Sequence, residues 1–201
     1  MTPEDRFNEH YKEGSAPWDI GRPDFNLTQA VTRTPIASCR ALDIGCGTGD
    51  NAIWLAQQKF EVLAFDTSEV AIEKAKEKAQ KATVQCSFRV ADILNSDLRE
   101  TLFGFAFDRG CFHTFDSGKD RKRFAQQVHL HLAENGLWLS LIGNADDRLK
   151  EGPPKLTARD IVSAVEPYFE ILSLVSSHFE TTLPEPPRAW VCLMGKRKSG
   201  E

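Results

Sequence analysis

The stretch that most constrains this chain is Ala41–Asp50, where a short apolar run meets an acidic residue and then glycines at alternate positions. Apolar residues at helical spacing follow over 51–56, which predicts a strand, a tight turn and a helix. Glycine reaches φ > 0 freely and leaves the backbone bare. Free N–H groups and a partial positive charge mark the start of a helix. The turn therefore predicts a site for a ligand that carries a negatively charged or hydrogen-bond-accepting group.

The spacing of the glycines argues against one common ligand class. Dinucleotide-binding turns follow the pattern G-x-G-x-x-G, in which the third glycine packs the helix on the strand. Here the glycines are Gly45, Gly47 and Gly49, and Asp50 stands where the fingerprint needs a small residue. Asp43 lies two residues before the first glycine. A nicotinamide oxidoreductase remains an alternative, but this pattern opposes it.

Composition excludes several other classes. The 201 residues, 41% hydrophobic and 27% charged, predict one soluble globular domain. The net charge of −4 disfavours a nucleic-acid partner. The five cysteines are scattered and form no C-x-x-C pair, so we expect neither a metal site nor disulfides. With no apolar leader and no run long enough to cross a bilayer, we predict a cytoplasmic protein without membrane contact.

Strand-like and helix-like segments alternate along the middle of the chain. We predict strands at 40–44, 60–65, 84–90, 105–108 and 137–142, with Asn135-Gly136 as the turn into the last of them. Helices are predicted at 50–58, 68–81 and 119–132, and later at 158–165. This alternation predicts an α/β fold with a mostly parallel, doubly wound sheet and helices on both faces. Two further strands, 169–176 and 189–195, suit an antiparallel pair that completes a seven-stranded sheet.

We expect three parts within one domain, 1–201. Residues 38–143 form the ligand-binding core, and 144–201 form the acceptor side and the sheet edge. Residues 1–34 precede the first strand and place Trp18 in a loop rich in proline and glycine. That arrangement predicts an appendage that acts as a lid.

Acidic residues follow successive strands of the predicted sheet, at the edge where open α/β sheets bind ligands. Asp66 could accept hydrogen bonds from a ribose diol, since a carboxylate only accepts. Asp92 would face an adenine amine, with the N–H of Ile93 on a ring nitrogen. Asp43 could hold an ammonium group, and Thr67 lies beside Asp66. These needs coincide in S-adenosylmethionine (SAM), although helix capping and turn chemistry would also explain the acids.

The motifs resemble those of a known family. Segments 42–50, 65–68, 91–94 and 107–113 resemble motifs I to IV of the class I SAM-dependent methyltransferases. Segments 17–23 and 152–154 resemble the thiopurine, thiol and halide methyltransferase branch. The resemblance implies a Rossmann-like fold, SAM as cofactor, an aromatic lid and a small-molecule acceptor such as a thiol. It also implies direct in-line displacement without a metal.

Four further residues are candidates for the site. Trp18 could offer its ring face to the sulfonium, or could simply pack as part of the lid. Arg22 could pair with the SAM carboxylate or lie in solvent, and Arg109, after the fourth strand, is placed among the cofactor-binding residues. His113 could act as a base or as an orienting or core histidine. Cys111 is assigned to packing, because methyl transfer needs no enzyme-bound intermediate.

Competing functions remain open at this stage. The chain could methylate nitrogen or oxygen of a small molecule, or bind SAM without catalysis. The sequence does not reveal the oligomeric state, although a monomer is favoured, and it does not identify the acceptor.

Overall fold

A computed structural model describes residues 3–33, 36–95, 101–150 and 152–198, and these contain seven strands and six α-helices. The strands are β1 Arg40–Ile44, β2 Glu61–Asp66, β3 Ser87–Val90, β4 Phe103–Arg109, β5 Leu132–Gly143, β6 Phe169–His178 and β7 Arg188–Lys196. The helices are α1 Pro3–Glu13, α2 Phe25–Arg33, α3 Asp50–Gln57, α4 Glu69–Lys81, α5 Gly118–His131 and α6 Ala158–Val165.

The strands form a single sheet in the order β3-β2-β1-β4-β5-β7-β6. β7 runs antiparallel to both β5 and β6, and the other pairings are parallel. The predicted fold class is therefore confirmed, including the antiparallel pair at the end. The strand order reverses between β1 and β4, so the carboxyl ends of these strands border the crevice where such sheets bind ligands.

Local sequence signals explain where several helices begin. Ser68 caps α4 by accepting a hydrogen bond from the N–H of Ala71 at 3.1 Å. Thr157 and Asp160 form a reciprocal capping box at the start of α6. Each cap satisfies N–H groups that the first turn of a helix leaves unpaired. Both predicted helix starts are confirmed.

Two strands begin three or more residues away from their predicted starts. β3 begins at Ser87 and not at residue 84, because the segment before it closes the end of α4: the N–H of Val84 donates to the carbonyl of Ala79 at 3.2 Å. β5 begins at Leu132, ahead of the expected Asn135-Gly136 turn. Leu132 pairs with Phe103 of β4, whereas Leu137 pairs with Phe105, so the register between the two strands shifts between these pairs. The predicted turn is thus an irregularity inside a longer strand.

Apolar side chains fill both faces of the sheet. One cluster centres on Trp138, which is fully buried and packs against the rings of Phe112, Phe124 and Phe169. The other lies under α3 and α4. All five cysteines are free thiols. In the described part of the chain, no helix has both the length and the apolar character that a membrane span requires.

Candidate active site

The loop between β1 and α3 depends on glycine at two positions. Gly47 has φ of 53°, and a Cβ atom there would lie 2.7 Å from the hydroxyl of Tyr11. Gly49 has φ of 86°, and a Cβ atom there would lie 2.9 Å from the Cβ of Ala75. Larger residues would therefore clash as well as strain the backbone. The glycine turn therefore exposes backbone without side chains just before α3.

Asp66, at the end of β2, is tied directly to this turn. Its Oδ2 accepts from the N–H of Gly47 at 2.9 Å, and its Oδ1 accepts from the N–H of Ser68 at 2.9 Å. Burial raises the pKa of the Asp66 carboxyl, and the N–H groups of Ser68, Gly47 and Thr67 oppose that rise. Each oxygen keeps a further lone pair that can accept from a ligand hydroxyl.

Asp43 lies behind the turn and is almost completely buried. Its Oδ2 has no hydrogen-bond partner within the described residues. Burial, reinforced by Asp108 and Asp66, raises the pKa of its carboxyl from 3.8 to about 8. A buried unpaired carboxyl oxygen is costly. A cationic group would relieve this cost, so the orphaned oxygen fits a ligand ammonium.

The third acidic residue has local partners. Asp92 accepts from the N–H of Leu94 at 2.9 Å and from the side-chain amide of Asn95 at 2.6 Å. These contacts form the turn after β3, which is the structural alternative that the sequence left open. The adjacent Ile93 is buried. Contacts of Asp92 and Ile93 with adenine remain a prediction.

Residues of the N-terminal segment cover the glycine turn. Tyr11, from α1, is buried, and its hydroxyl accepts from the indole N–H of Trp18 at 2.9 Å. The Trp18 ring meets the rings of Phe7, His10 and Tyr11 edge-on. Trp18 thus fixes Tyr11 above Gly47. Tyr11 was not among the candidate residues, because in the sequence it looks like an apolar-face residue of an amphipathic helix.

A buried ion pair joins this segment to the end of β4. The Nε of Arg109 donates to the fully buried carboxylate of Asp24 at 2.6 Å, and its other nitrogens donate to the carbonyls of Trp18 and Glu180. Arg22 pairs with the Glu180 carboxylate at 2.6 Å. Both arginines are therefore engaged by protein groups. We name residues 11–26 and 178–182 the roof, because together they cover the turn.

A second polar cluster links the roof to α3 and α4. Lys78 contacts both carboxylate oxygens of Asp50, at 3.0 and 2.9 Å, and the hydroxyl of Thr48 at 2.6 Å. Thr48 in turn donates to Asp19 at 2.6 Å. The cluster explains why an acidic residue stands at position 50, where a dinucleotide site has a small one. No sequence signal links these four residues, since they come from three separate segments.

The roof and the turn enclose a cavity of about 50 Å³. Six predicted site residues line it, namely Trp18, Arg22, Gly45, Gly47, Gly49 and Arg109. Asp43, Asp66, Thr67, Asp92, Ile93 and His113 lie outside its lining. Ligand pockets usually measure about 300 Å³ or more. The cavity in this structure is therefore smaller than a whole nucleoside cofactor needs.

His113 lies in a 3₁₀ turn, Phe112–Thr114, just after β4, and is buried. Its Nδ1 accepts from the N–H of Gly143 at 2.7 Å, and its ring meets that of Phe179 edge-on. Burial, with a smaller contribution from the Arg109 charge, lowers the pKa of the imidazole from 6.5 to about 3. The ring is therefore neutral at physiological pH and joins the ends of β4 and β5.

Two other polar groups lie near the end of β4, Asp108 within the strand and Cys111 just after it. Asp108 accepts from the N–H groups of Cys111 and Phe112 and from the indole N–H of Trp138 at 2.9 Å. It is therefore a structural residue of the core. Burial raises the pKa of the Cys111 thiol well above its usual value, which keeps it unreactive. In the described residues, no group of three or more His, Cys, Asp or Glu side chains is placed to bind a metal.

The chain is similar to known methyltransferase sequences, in its core and over most of its length. A protein-family profile described as a methyltransferase domain matches residues 41–136. A probable thiol methyltransferase 2 of Arabidopsis thaliana is 26% identical over 174 residues, which are 85% of this chain and 76% of the relative. Thiocyanate methyltransferase 1 of Brassica oleracea is 27% identical over 192 residues, which are 94% of this chain and 80% of the relative.

Solved structures share the fold over nearly the whole chain. A protein solved in a study of the conversion of a disulfide bond into a thioacetal group during echinomycin biosynthesis has a TM-score of 0.88 at 24% identity, covering 100% of this chain and 95% of its own. Magnesium protoporphyrin IX methyltransferase of Synechocystis, solved with bound SAM, has a TM-score of 0.74 at 14% identity, covering 96% and 95%.

Proposed function

Because this chain belongs to the class I SAM-dependent methyltransferases, we propose that it transfers a methyl group from SAM to the sulfur of a small thiol. Its cofactor is SAM. The observation that carries the proposal is the glycine turn with Asp66 bound to its backbone and the orphaned carboxyl of Asp43 behind it.

The residues around the turn suit the separate parts of SAM. The lone pairs left on Asp66 suit the ribose hydroxyls, and Asp43 suits the ammonium group, directly or through water. Asp92 and Ile93 would take the adenine. The roof residue Tyr11 adds a hydroxyl that lies over Gly47. Arg22 and Arg109 would reach the cofactor only by giving up some of their present protein partners.

When bound, SAM supplies an activated methyl group on a positively charged sulfur. The chain's own contribution is to hold the two reactants in line and to exclude water. The glycine turn and the acidic residues would fix one reactant, and the roof would close over both. In this arrangement residues 1–34 act as a lid, 38–143 as the cofactor-binding core and 144–201 as the acceptor side of a single domain.

Two lines of support favour sulfur as the acceptor atom. The relatives that match most of this chain are named as thiol and thiocyanate methyltransferases. In addition, neither Asp108 nor His113 is ready to take a proton: Asp108 accepts from Trp138 and from two backbone N–H groups, and Nδ1 of His113 accepts from Gly143. A thiol is already partly ionised near neutral pH and needs little help. We place the protein in the cytoplasm, where thiols stay reduced.

A panel of acceptors tests this function. We expect transfer of a labelled methyl group from SAM to small thiols, and at least tenfold slower transfer to amines and phenols of similar size. The measurement is labelled product at saturating SAM. A phenol or an amine that outpaces every thiol would show oxygen or nitrogen to be the target. SAM binding without transfer to any acceptor would support a non-catalytic binding module.

The ribose assignment has its own test. Asp66→Ala is expected to weaken SAM binding at least tenfold, about 1.4 kcal/mol, because a charge-assisted hydrogen bond is lost. Calorimetry with SAM and with S-adenosylhomocysteine measures the effect. Glu77→Ala, which removes an exposed carboxylate from α4, is the control and should leave the affinity unchanged. Equal affinities for both variants would refute the assignment.

A further inference from the structure

The imidazole of His113 is held in one tautomer by the backbone. The Gly143 N–H group is a donor, so the Nδ1 that accepts from it at 2.7 Å must carry a lone pair. In a neutral ring the proton is then on Nε2. His113 therefore presents an N–H group on its other edge. That nitrogen has no free lone pair, so it cannot accept a proton.

The surroundings of the ring keep it neutral. Burial is the main cause that lowers the pKa of the imidazole, and the charge of Arg109 adds to it. The neighbouring β5 presents the backbone of Gly143, and the segment after β6 presents the ring of Phe179. The guanidinium of Arg109 lies over the same Phe179 ring, 5.5 Å from its centre. Burial and the guanidinium of Arg109 thus keep the ring uncharged.

The Nε2 edge lies against a residue that has no side chain. Gly110 has φ of 81°, and a Cβ atom on it would lie 3.3 Å from Nε2. Among the described residues no hydrogen-bond partner is recorded for Nε2, although His113 is only 5% exposed. Gly110 directly follows Arg109, which lines the cavity. The Nε2–H donor is therefore left without a protein acceptor among the described residues.

We propose that the Nε2–H group of His113 donates a hydrogen bond to the methyl acceptor, and that the acceptor reaches the site already ionised. This inference rests on the proposed methyl transfer and deepens it. The acceptor sulfur attacks with a lone pair and forms a new carbon–sulfur bond. The methyl–sulfonium bond breaks, and its electron pair stays on the departing sulfur. No proton is released in this step, so no base is required.

A donor is useful in such a step for two reasons. It directs one lone pair of the anion away from the methyl group and leaves another in line with it. It also favours the thiolate over the thiol, since hydrogen bonds to charged groups are about twice as strong as neutral ones. Neutral amines and alcohols gain neither advantage.

The ionisation claim is tested with thiols of different acidity. We expect kcat/KM to rise with pH and to level off at the pKa of the thiol itself, near 8.5 for an alkylthiol and lower for an arylthiol. The midpoint should therefore move with the acceptor. A midpoint that stays the same for both thiols would assign the titration to an enzyme group and would overturn the claim.

The donor claim is tested by two substitutions of His113. In His113→Asn a side-chain carbonyl can still accept from Gly143, but the Nε2 donor is gone. We expect kcat/KM for thiols to fall roughly tenfold to a hundredfold, with the affinity for S-adenosylhomocysteine and the pH midpoint unchanged. His113→Gln, whose amide reaches the Nε2 position, should recover part of the loss. His129→Asn in α5 is the control and should leave kcat/KM unchanged.

The outcomes separate this inference from the proposed function. If phenolates or other anions replace thiols as the best acceptors and His113→Asn still lowers the rate, the thiol proposal fails and the inference stands. Full activity of His113→Asn, or a shifted pH midpoint in it, would overturn the donor role. If the variants do not fold, nitrogen NMR of the wild-type histidine decides: we expect a proton on Nε2 and a shift of that signal when a thiolate joins the S-adenosylhomocysteine complex. A proton on Nδ1, or no shift, contradicts the inference.

Discussion

Asp24→Ala is expected to lower the free energy of unfolding by about 3–5 kcal/mol, because it leaves the Arg109 guanidinium largely buried without its counter-charge. The Asp24 side chain is completely buried, and that of Arg109 is only 10% exposed. Asp24 also accepts from the backbone and side-chain N–H groups of Asn26, both at 2.9 Å. Denaturant unfolding of the cofactor-free protein measures the loss.

A surface pair of the same chemistry supplies the control. The Nε of Arg40 contacts the carboxylate of Glu61 at 3.1 Å, but these side chains are 33% and 73% exposed. Glu61→Ala should therefore cost at most about 1 kcal/mol. A loss as small as this for Asp24→Ala would mean that the roof is not fixed by the buried pair. The asparagine variant of Asp24, which keeps an acceptor for Asn26, should lie between the two.

Asp43→Asn is expected to make the cofactor-free protein more stable at pH 8 and to weaken its binding of SAM. Burial raises the pKa of the Asp43 carboxyl from 3.8 to about 8, so folding favours the protonated form. Its contribution to stability is complete below about pH 4 and is lost as the pH rises through 8. The rise in pKa corresponds to at most about 6 kcal/mol. Asparagine removes this loss together with the charge that suits the ammonium group.

Unfolding at pH 5, 7 and 9 measures the first effect, and calorimetry with SAM measures the second. The decline in stability between pH 5 and 9 should be smaller in the variant. Asp160→Asn is an informative control, because hydrogen bonds from Thr157 lower the pKa of that carboxyl. Its substitution should slightly reduce stability above pH 4, which is the opposite sign. An unchanged pH profile for Asp43→Asn would show that the buried carboxyl does not titrate in this range.

The sheet and the glycine turn could be predicted because local sequence determines them. Ser68 and Thr157 mark helix starts, and the alternate glycines require a turn that other residues cannot form. The start of β5 could not be predicted, since Asn135-Gly136 is a strong local turn signal that the pairing with β4 overrides. Pairing between distant strands leaves no mark in a short window of sequence.

The polar contacts of the roof were beyond sequence reasoning for the same reason. Glu180 meets Arg22 and Arg109 across gaps of 158 and 71 positions, and nothing in its neighbours indicates a partner. Tyr11 and Trp18 are only seven positions apart, but the bond between them depends on how α1 is oriented. The role of His113 could not be decided from sequence, because its tautomer depends on the backbone N–H of Gly143, which is 30 positions away.

The two strips of the roof come from opposite ends of the chain, yet they are bound to each other. The N–H of Thr182 donates to the carbonyl of Pro17 at 2.9 Å, and Glu180 contacts Arg22 at 2.6 Å. A chimera that borrows only the leading strip from a relative would lose these bonds. Both strips would have to be transplanted together to keep these bonds. The glycine turn, whose Gly47 N–H is bound by Asp66, could then remain unchanged in the chimera.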